Sequence, residues 1–263
     1  MPFLLLFAII LSVKISLVTP AFNSARTIKS AIESVLAQQG ADFEYIVIDG
    51  ASADSTLSIV KEFEPLFSGR MKTLSEPDRG MYDALNKGVS LATGDVVGIL
   101  NADDLLENPS TLSLVASSFD PSIDAVYADV RFVRDDLLTA VRHYGARHWR
   151  PWQLRWGKMP PHPSIYIRRE LFERLGPYKT GYEIAADYEL AVRYFLKNRI
   201  RARYIPATLV KMRMGGKSTR SWRSNLVLNR ENVRALRENG YFACFPMMLP
   251  KYLFKIWEFI LKG

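Results

Sequence analysis

Between residues 14 and 133 the chain alternates short apolar runs with longer segments whose apolar residues recur at every third or fourth position. The runs Ile15–Thr19, Phe43–Asp49, Met71–Ser75, Asp95–Leu100 and Asp124–Val130 have the length and low polarity of buried strands. Between them, Ile28, Ala31, Ile32, Val35 and Leu36 mark one helical face, which Gly40 closes. Leu57, Val60 and Phe63 mark a second face, and Met81, Ala84, Leu85, Gly88, Val89 and Ala92 a third. Leu112, Val115, Ala116 and Phe119 mark a fourth. Asp54 or Ser55 suits the start of the second helix, and Asn108-Pro109 the start of the fourth. Apolar strands that each lead into a helix predict an α/β fold, with a parallel sheet, helices on both faces and right-handed crossovers. Ligands of such sheets bind outside the carboxyl ends of the strands. The loops to inspect are therefore Pro20–Ser24, Asp49–Ser55, Ser75–Gly80 and Asn101–Glu107.

None of these loops carries G-x-G-x-x-G or a Walker sequence, which argues against a dinucleotide-dependent dehydrogenase or a P-loop enzyme. They carry carboxylates instead. The fourth strand runs into Asn101, Ala102, Asp103 and Asp104. Taken alone this is a capped turn. Taken as chemistry, Asp103 and Asp104 form a hard-oxygen site for Mg²⁺ or Mn²⁺ with a diphosphate. The second strand ends in Asp49, a turn former or an acceptor for a nucleobase N–H or a ribose hydroxyl. In "SEPDRGMYDALNKG" (Ser75–Gly88), Gly80 permits a tight turn and Arg79 can reach phosphate. Asn86, one helical turn past Tyr82, can turn its amide to a ligand. Further on, Asp187 in "YEIAADYEL" opens a helix and is either a cap or a general base. His162, in "PPHPS", is a lone loop histidine.

Together these stretches resemble a known family. "ISLVTPAFNSARTIKSAIESVLAQQ", "YIVIDGASADST", "SEPDRGMYDALNKGVSLATGDVVGILNADD" and "PHPSIYIRRELFERLGPYKTGYEIAADYEL" look like successive motifs of the family 2 glycosyltransferases. The closer likeness is to the bacterial branch that makes exopolysaccharides, lipopolysaccharides and glycolipids. The resemblance covers roughly residues 14–215. It implies the GT-A fold, a Rossmann-like nucleotide-binding sheet, here with a C-terminal helical extension. It also implies inverting transfer from a nucleoside-diphosphate sugar, with Mn²⁺ or Mg²⁺ as cofactor. Thr19, Pro20, Phe22 and Asn23 match the first loop of the nucleotide site. Asp49 matches the carboxylate that recognises the base, and Asn101-Ala102-Asp103 the D-x-D element with Asp103 as metal ligand. Asp187 matches the catalytic base. Two departures stand out: Asn101 replaces the usual first Asp, and Ala186 precedes the base where Glu is usual.

Charge divides the chain. Residues 1–120 hold 8 basic against 15 acidic side chains, and residues 121–263 hold 27 against 12. A basic back half suits phosphorylated ligands, anionic lipid or nucleic acid without choosing among them. Arg147, Trp149, Arg150, Trp152, Arg155 and Trp156 sit in an irregular stretch, residues 142–163, that suits a sugar or lipid-phosphate acceptor. His162, Trp152 and Trp156 are the acceptor-site candidates. The single cysteine, Cys244, excludes an intramolecular disulfide and a multi-cysteine zinc site.

Three segments follow: an apolar 1–13, a glycosyltransferase domain over 14–215, and a basic helical extension over 216–263. The apolar run Phe3–Val13 falls well short of the ~20 residues of a membrane helix. It lacks the flanks of a signal peptide. It reads equally as a membrane-dipping segment or as residues upstream of the true start. Near the end, Leu253, Ile256, Trp257 and Ile260 share a helical face beside Lys251, Lys255 and Lys262, which suits an interfacial helix on an anionic leaflet. The expectation is a peripheral protein on the cytoplasmic face of the membrane, with a saccharide or lipid-linked acceptor and no nucleic-acid partner. Two readings compete. A sugar nucleotidyltransferase calls for a glycine-rich basic loop that "TPAFNSART" does not supply. A nucleic-acid-binding protein calls for basic charge throughout, which the acidic front half lacks.

Overall fold

The computed structural model describes residues 13–214 and 222–250. The apolar N-terminal run up to residue 12 and the amphipathic pattern over 253–260 lie outside the described residues. The alternation predicted from the sequence is present: β1 (Ile15–Ala21), α1 (Ile28–Leu36), β2 (Phe43–Asp49), α2 (Thr56–Phe63), β3 (Met71–Ser75), α3 (Met81–Leu91) and β4 (Val96–Ile99). β5 (Leu105–Leu106), α4 (Thr111–Ser117), β6 (Ala125–Val133), β7 (Ala140–Tyr144) and β8 (Tyr166–Arg168) follow. The chain goes on through α5 (Glu170–Leu175), α6 (Ala186–Ala191), which continues as a π-helical turn over Val192–Lys197, then β9 (Ala202–Arg213) and α7 (Trp222–Glu238).

One nine-stranded sheet runs β3-β2-β1-β4-β8-β6-β9-β5, with β7 on the free side of β6. β1 to β4 pair in parallel, as their double-sided apolarity required. The sheet is not parallel throughout, although β6, the fifth expected strand, pairs with β9 in parallel again. β8 enters antiparallel between β4 and β6, and β5 and β7 are antiparallel additions that were too short or too polar to stand out in the sequence. α4 also starts later than Asn108-Pro109 suggested. Asn108 instead uses its side-chain oxygen on Ser110, at 3.0 Å to N and 2.8 Å to Oγ, so the turn ends before the helix begins.

Period-two alternation along the strands sends side chains to two cores. Ile15, Leu17, Tyr45 and Val47 pack under α1, α2 and α4. Val18, Ile46 and Ile48 face α3, and the same core runs on through α5, α6 and the π-helical turn to Ala235 and Leu236 of α7. At the amino ends of the strands, buried Glu44 accepts hydrogen bonds from Ser16 Oγ (2.7 Å), Lys72 Nζ (2.7 Å) and Thr93 N (2.6 Å). Burial pushes this carboxyl up, but those bonds override it and hold the pKa at about 2. The acidic cluster on the opposite edge is therefore where the sheet is left open to chemistry.

Candidate active site

Because β1, β2, β3 and β4 are adjacent and parallel, their carboxyl ends emerge side by side, with Ala21 opposite Asp49 and Asp49 opposite Ser75. Asp49 is buried at the end of β2. Its carboxylate accepts Ser52 N (3.2 Å), Ser52 Oγ (2.5 Å) and Ser75 Oγ (2.7 Å), which locks the second loop to the third strand. The first loop is pinned to the second by Asn23, whose N donates to Ser52 Oγ (2.8 Å) while its Oδ1 accepts Ala53 N (2.9 Å). Asn23 holds φ at 49°, a left-handed value that Asn tolerates better than most residues. Gly50 lets the loops close in: a Cβ there would lie 2.4 Å from the Asp78 carboxylate and 3.3 Å from the Phe22 ring. Phe22 itself is 61% exposed, an open aromatic face beside a buried carboxylate. Pro20 lies beside it, half-buried, next to the strand end. Thr19 points the other way. It is fully buried, and its hydroxyl accepts the Tyr45 hydroxyl at 3.1 Å inside the core.

The third loop turns at Gly80, whose φ of 113° suits glycine. Arg79 is exposed beyond it, paired at 3.2 Å with Asp83 in the first turn of α3. Asn86 has a different job from the one its spacing suggested. Its Nδ2 donates to Tyr178 O (2.8 Å) and its Oδ1 accepts Tyr178 N (2.9 Å), so the amide is committed to the backbone of the 176–185 loop.

Past β4, the turn Asn101–Asp104 is closed by Asp104 N donating to Asn101 O at 3.0 Å. Asn101 Nδ2 donates to Asp104 Oδ2 (2.8 Å), and Arg213 of β9 donates to the Asp103 carbonyl (3.1 Å). The two carboxylates part company here. Asp104 is buried, and burial together with the Asp103 charge pushes its pKa up to about 8, against the pull of Asn101 and Arg213. Asp103 is half-buried and its carboxylate meets no hydrogen-bond donor among the described residues. The pair expected to act together thus divides into an open carboxylate and an interior one that shapes the turn. Ala102 between them is buried.

Asp187 reaches this edge through Tyr82. Tyr82 stands in the first turn of α3, just after the third loop, and its hydroxyl donates to Ile184 O and lies 3.4 Å from Asp187 Oδ1. Tyr188 N also donates to Oδ1, at 2.8 Å. Oδ2 takes no hydrogen bond from the described residues. Burial raises the pKa of Asp187 above the ordinary carboxylate range, while His162 opposes the rise. His162 lies on the same small cavity of about 10 Å³ as Asp187 and Tyr178, with Nε2 2.9 Å from the Tyr178 hydroxyl. Burial lowers its pKa. Trp152 and Trp156 are exposed on a separate surface, and Trp149 is a core residue, edge-on to Tyr127 and Phe195.

The family description "Glycosyl transferase family 2" matches residues 16–176. A PGL/p-HBAD biosynthesis glycosyltransferase of Mycobacterium bovis (strain BCG / Pasteur 1173P2) is 33% identical over 225 residues, 84% of this chain and 83% of that one. The chain belongs to glycosyl transferase family 2. An uncharacterised glycosyltransferase of Mycobacterium tuberculosis (strain ATCC 25618 / H37Rv) is 30% identical over 183 residues, 68% of each chain. Among solved structures, S. aureus TarS 1-349 in complex with UDP-GlcNAc has a TM-score of 0.69 at 18% identity, covering 85% of this chain and 66% of that one. The mannosyltransferase PcManGT from Pyrobaculum calidifontis, in complex with GDP-Man and Mn²⁺, has a TM-score of 0.63 at 24% identity, covering 84% and 64%. The chain thus spans less than two-thirds of these solved structures, and the likeness establishes the GT-A fold.

As a family 2 glycosyltransferase the chain is an enzyme, and its donor set can be tested against a divalent ion. Among the described residues no group of three or more His, Cys, Asp or Glu side chains is placed to cage a metal. A single open carboxylate fits Mg²⁺ or Mn²⁺ only where phosphate oxygens and water complete the shell, and that is how these ions are usually held. Three residues that hold the glycosyltransferase site together escaped the sequence reading. Tyr178 stacks on Tyr82, with ring centroids 6.0 Å apart, and its hydroxyl meets His162. Arg213 bridges Asp103 O to Ser30 Oγ (2.7 Å). Glu231, on α7, accepts Glu183 N (2.7 Å), Ile184 N (2.9 Å) and Ala185 N (2.9 Å), three backbone donors of the loop that leads into α6. No local pattern marks Glu231, because its partners lie more than forty residues away.

Proposed function

We propose that the protein transfers a glycosyl group, with inversion, from a nucleoside-diphosphate sugar to a saccharide or lipid-linked acceptor in the synthesis of a bacterial cell-surface glycolipid or polysaccharide. The observation that carries this reading is that Tyr82 links Asp187 to the sheet edge where Asp49 and Asp103 emerge. In it, Phe22 and Asp49 hold the nucleoside, with Pro20 and Asn23 shaping the loop around it. Arg79 and Gly80 face the diphosphate. Asp103 holds a divalent ion, Mn²⁺ or Mg²⁺, which when bound supplies positive charge for the departing diphosphate.

Asp187 acts as general base. Its Oδ1 is anchored by Tyr188 N and the Tyr82 hydroxyl, so Oδ2 is left to take the acceptor hydroxyl proton as that oxygen attacks the anomeric carbon. The raised pKa suits this work, because a stronger base removes an alcohol proton more readily. His162 is half-buried and braces Tyr178, its pKa lowered by burial. Residues 14–215 form the catalytic domain in this reading. The basic segment 216–263 contributes α7 to it and, beyond the described residues, an interfacial anchor on the cytoplasmic leaflet. No helix among the described residues is long and apolar enough to cross a membrane. The sugar donors of TarS and PcManGT suggest which nucleotides to try first. Thermal unfolding with UDP- and GDP-sugars, each with and without Mn²⁺ or Mg²⁺, tests the reading. The true donor should raise the midpoint in a metal-dependent way. A flat response across the panel would overturn it.

A further inference from the structure

A second concave surface lies on the far side of Phe195 from Asp187. Its volume is about 710 Å³, and its walls include Arg150, Trp152, Arg155, Leu196, Arg199 and Tyr241. Phe195 is the one residue it shares with the small cavity beneath Asp187. Three chain segments build it: a 3₁₀ turn over Pro151–Trp156, the end of the π-helical turn, and the stretch after α7 that leads into a 3₁₀ turn over Phe245–Met248. Residues 145–162, 195–203 and 241–250 contain no Asp or Glu at all. Arg155 and Arg199 are exposed, and neither has an ion-pair partner among the described residues. Other arginines nearby are spent, Arg201 on Asp124 (3.0 Å) and Arg203 on Asp120 (2.6 Å). Large apolar side chains stand out around this surface or on the segments that form it: Trp152 at 58% exposure, Trp156 at 42%, Phe242 at 75% and Leu249 at 48%.

Exposed aromatics set among arginines without an ion-pair partner, on segments that carry no acid, match neither a protein core nor a neutral sugar site. Tryptophan and tyrosine settle at the level of lipid headgroups, and arginines there pair with phosphate. We propose that this groove binds the phosphate headgroups of an anionic membrane surface, with Arg155 and Arg199 on phosphate and Trp152 entering the interface. The docked face then sits one residue, Phe195, away from the cavity under Asp187, which brings the acceptor site close to the leaflet. The inference rests on the membrane-associated reading above, but it names a different surface from the segment beyond residue 250.

Flotation with vesicles of phosphatidylcholine, alone and with about one-third phosphatidylglycerol, separates the two. The full chain should bind the anionic vesicles and lose binding as salt is raised. Arg155→Ala/Arg199→Ala should weaken that binding roughly 10- to 30-fold. Trp152→Ala should weaken binding to both vesicle types while keeping the salt dependence. An unchanged thermal midpoint shows that the variants fold. The same losses in a chain ending at residue 250 support the groove directly. Wild-type binding by the arginine variant, with binding abolished by the truncation, overturns the groove and leaves the terminal anchor standing. Equal binding to both vesicle types overturns headgroup recognition. No binding of the full chain to either overturns both.

Discussion

Replacing Glu231 tests whether α7 holds Asp187, the proposed general base, in position. Its Oε1 accepts Glu183 N, and its Oε2 accepts both Ile184 N and Ala185 N, at 2.7 to 2.9 Å. These bonds hold the loop that leads into α6, the helix whose second residue is Asp187. A hydrogen bond to a charged group contributes about 1.5–3 kcal/mol. Here three bonds share one carboxylate in a half-buried site, and water recovers part of what is lost. Glu231→Ala should therefore cost about 3 kcal/mol. At about 2–4 °C per kcal/mol for a chain of this size, the melting midpoint should fall by about 6–12 °C. Glu231→Gln sharpens the test. Its amide oxygen can occupy the Oε2 position and keep Ile184 and Ala185, while its NH₂ then faces the Glu183 N–H. The loss should be about half that of alanine. Because Asp187 follows directly on the loop so held, kcat should fall about tenfold or more in Glu231→Ala, with donor KM little changed. Scanning fluorimetry and initial rates of glycosyl transfer give both numbers. Wild-type midpoint and kcat in Glu231→Ala would refute the reasoning. Equal losses in the two variants would refute the bond-by-bond account.

Asp103→Ala should abolish the metal-dependent midpoint shift caused by a nucleotide sugar, and donor turnover with it; a full shift would place the ion elsewhere. Asp187→Asn should keep donor binding and cut transfer by about 10²-fold or more. In the wild type, kcat should rise with pH through a pKa above the ordinary carboxylate range, because burial raises Asp187 and only its ionised form is a base. A rate independent of pH from 4 to 8 would count against that role. Glu44 predicts a pH dependence of stability rather than of rate. Its folded pKa of about 2 lies below the ordinary 4.5, so its contribution is complete above pH 4.5 and is lost as pH falls toward 2. Glu44→Gln should flatten the decline of the melting midpoint over that window, by an amount on the order of 3 kcal/mol. An unchanged acid limb would show that the carboxylate carries no such linkage.

The first half of the sheet was legible because its information is local. A run such as "FEYIVID" buries both faces of a strand, and a stripe such as Ala84, Leu85, Gly88 and Val89 covers it, although Met81, expected on the same stripe, is 42% exposed and Tyr82 takes the inward place. The acidic strand ends were legible for the same reason: strand direction alone puts Asp49 and Asp103 on the ligand edge. The sequence could not say what each polar group would meet. Asn86 went to the Tyr178 backbone, Thr19 to Tyr45, and Asp104 into the interior under Asn101. Each of these outcomes turns on a hydrogen bond, and a buried hydrogen bond is decided by whichever partner the packing brings within about 3 Å. The same holds for β8, inserted antiparallel beside β4, and for Glu231, whose partners just ahead of α6 are near only after α6 and α7 pack. Hydrophobic period and strand direction are properties of a segment, so the sequence alone determined the four parallel strands β1 to β4, their covering helices and the acidic edge. Which carboxylate stays open and which is sealed depends on contacts between distant segments, and only the tertiary structure decided that.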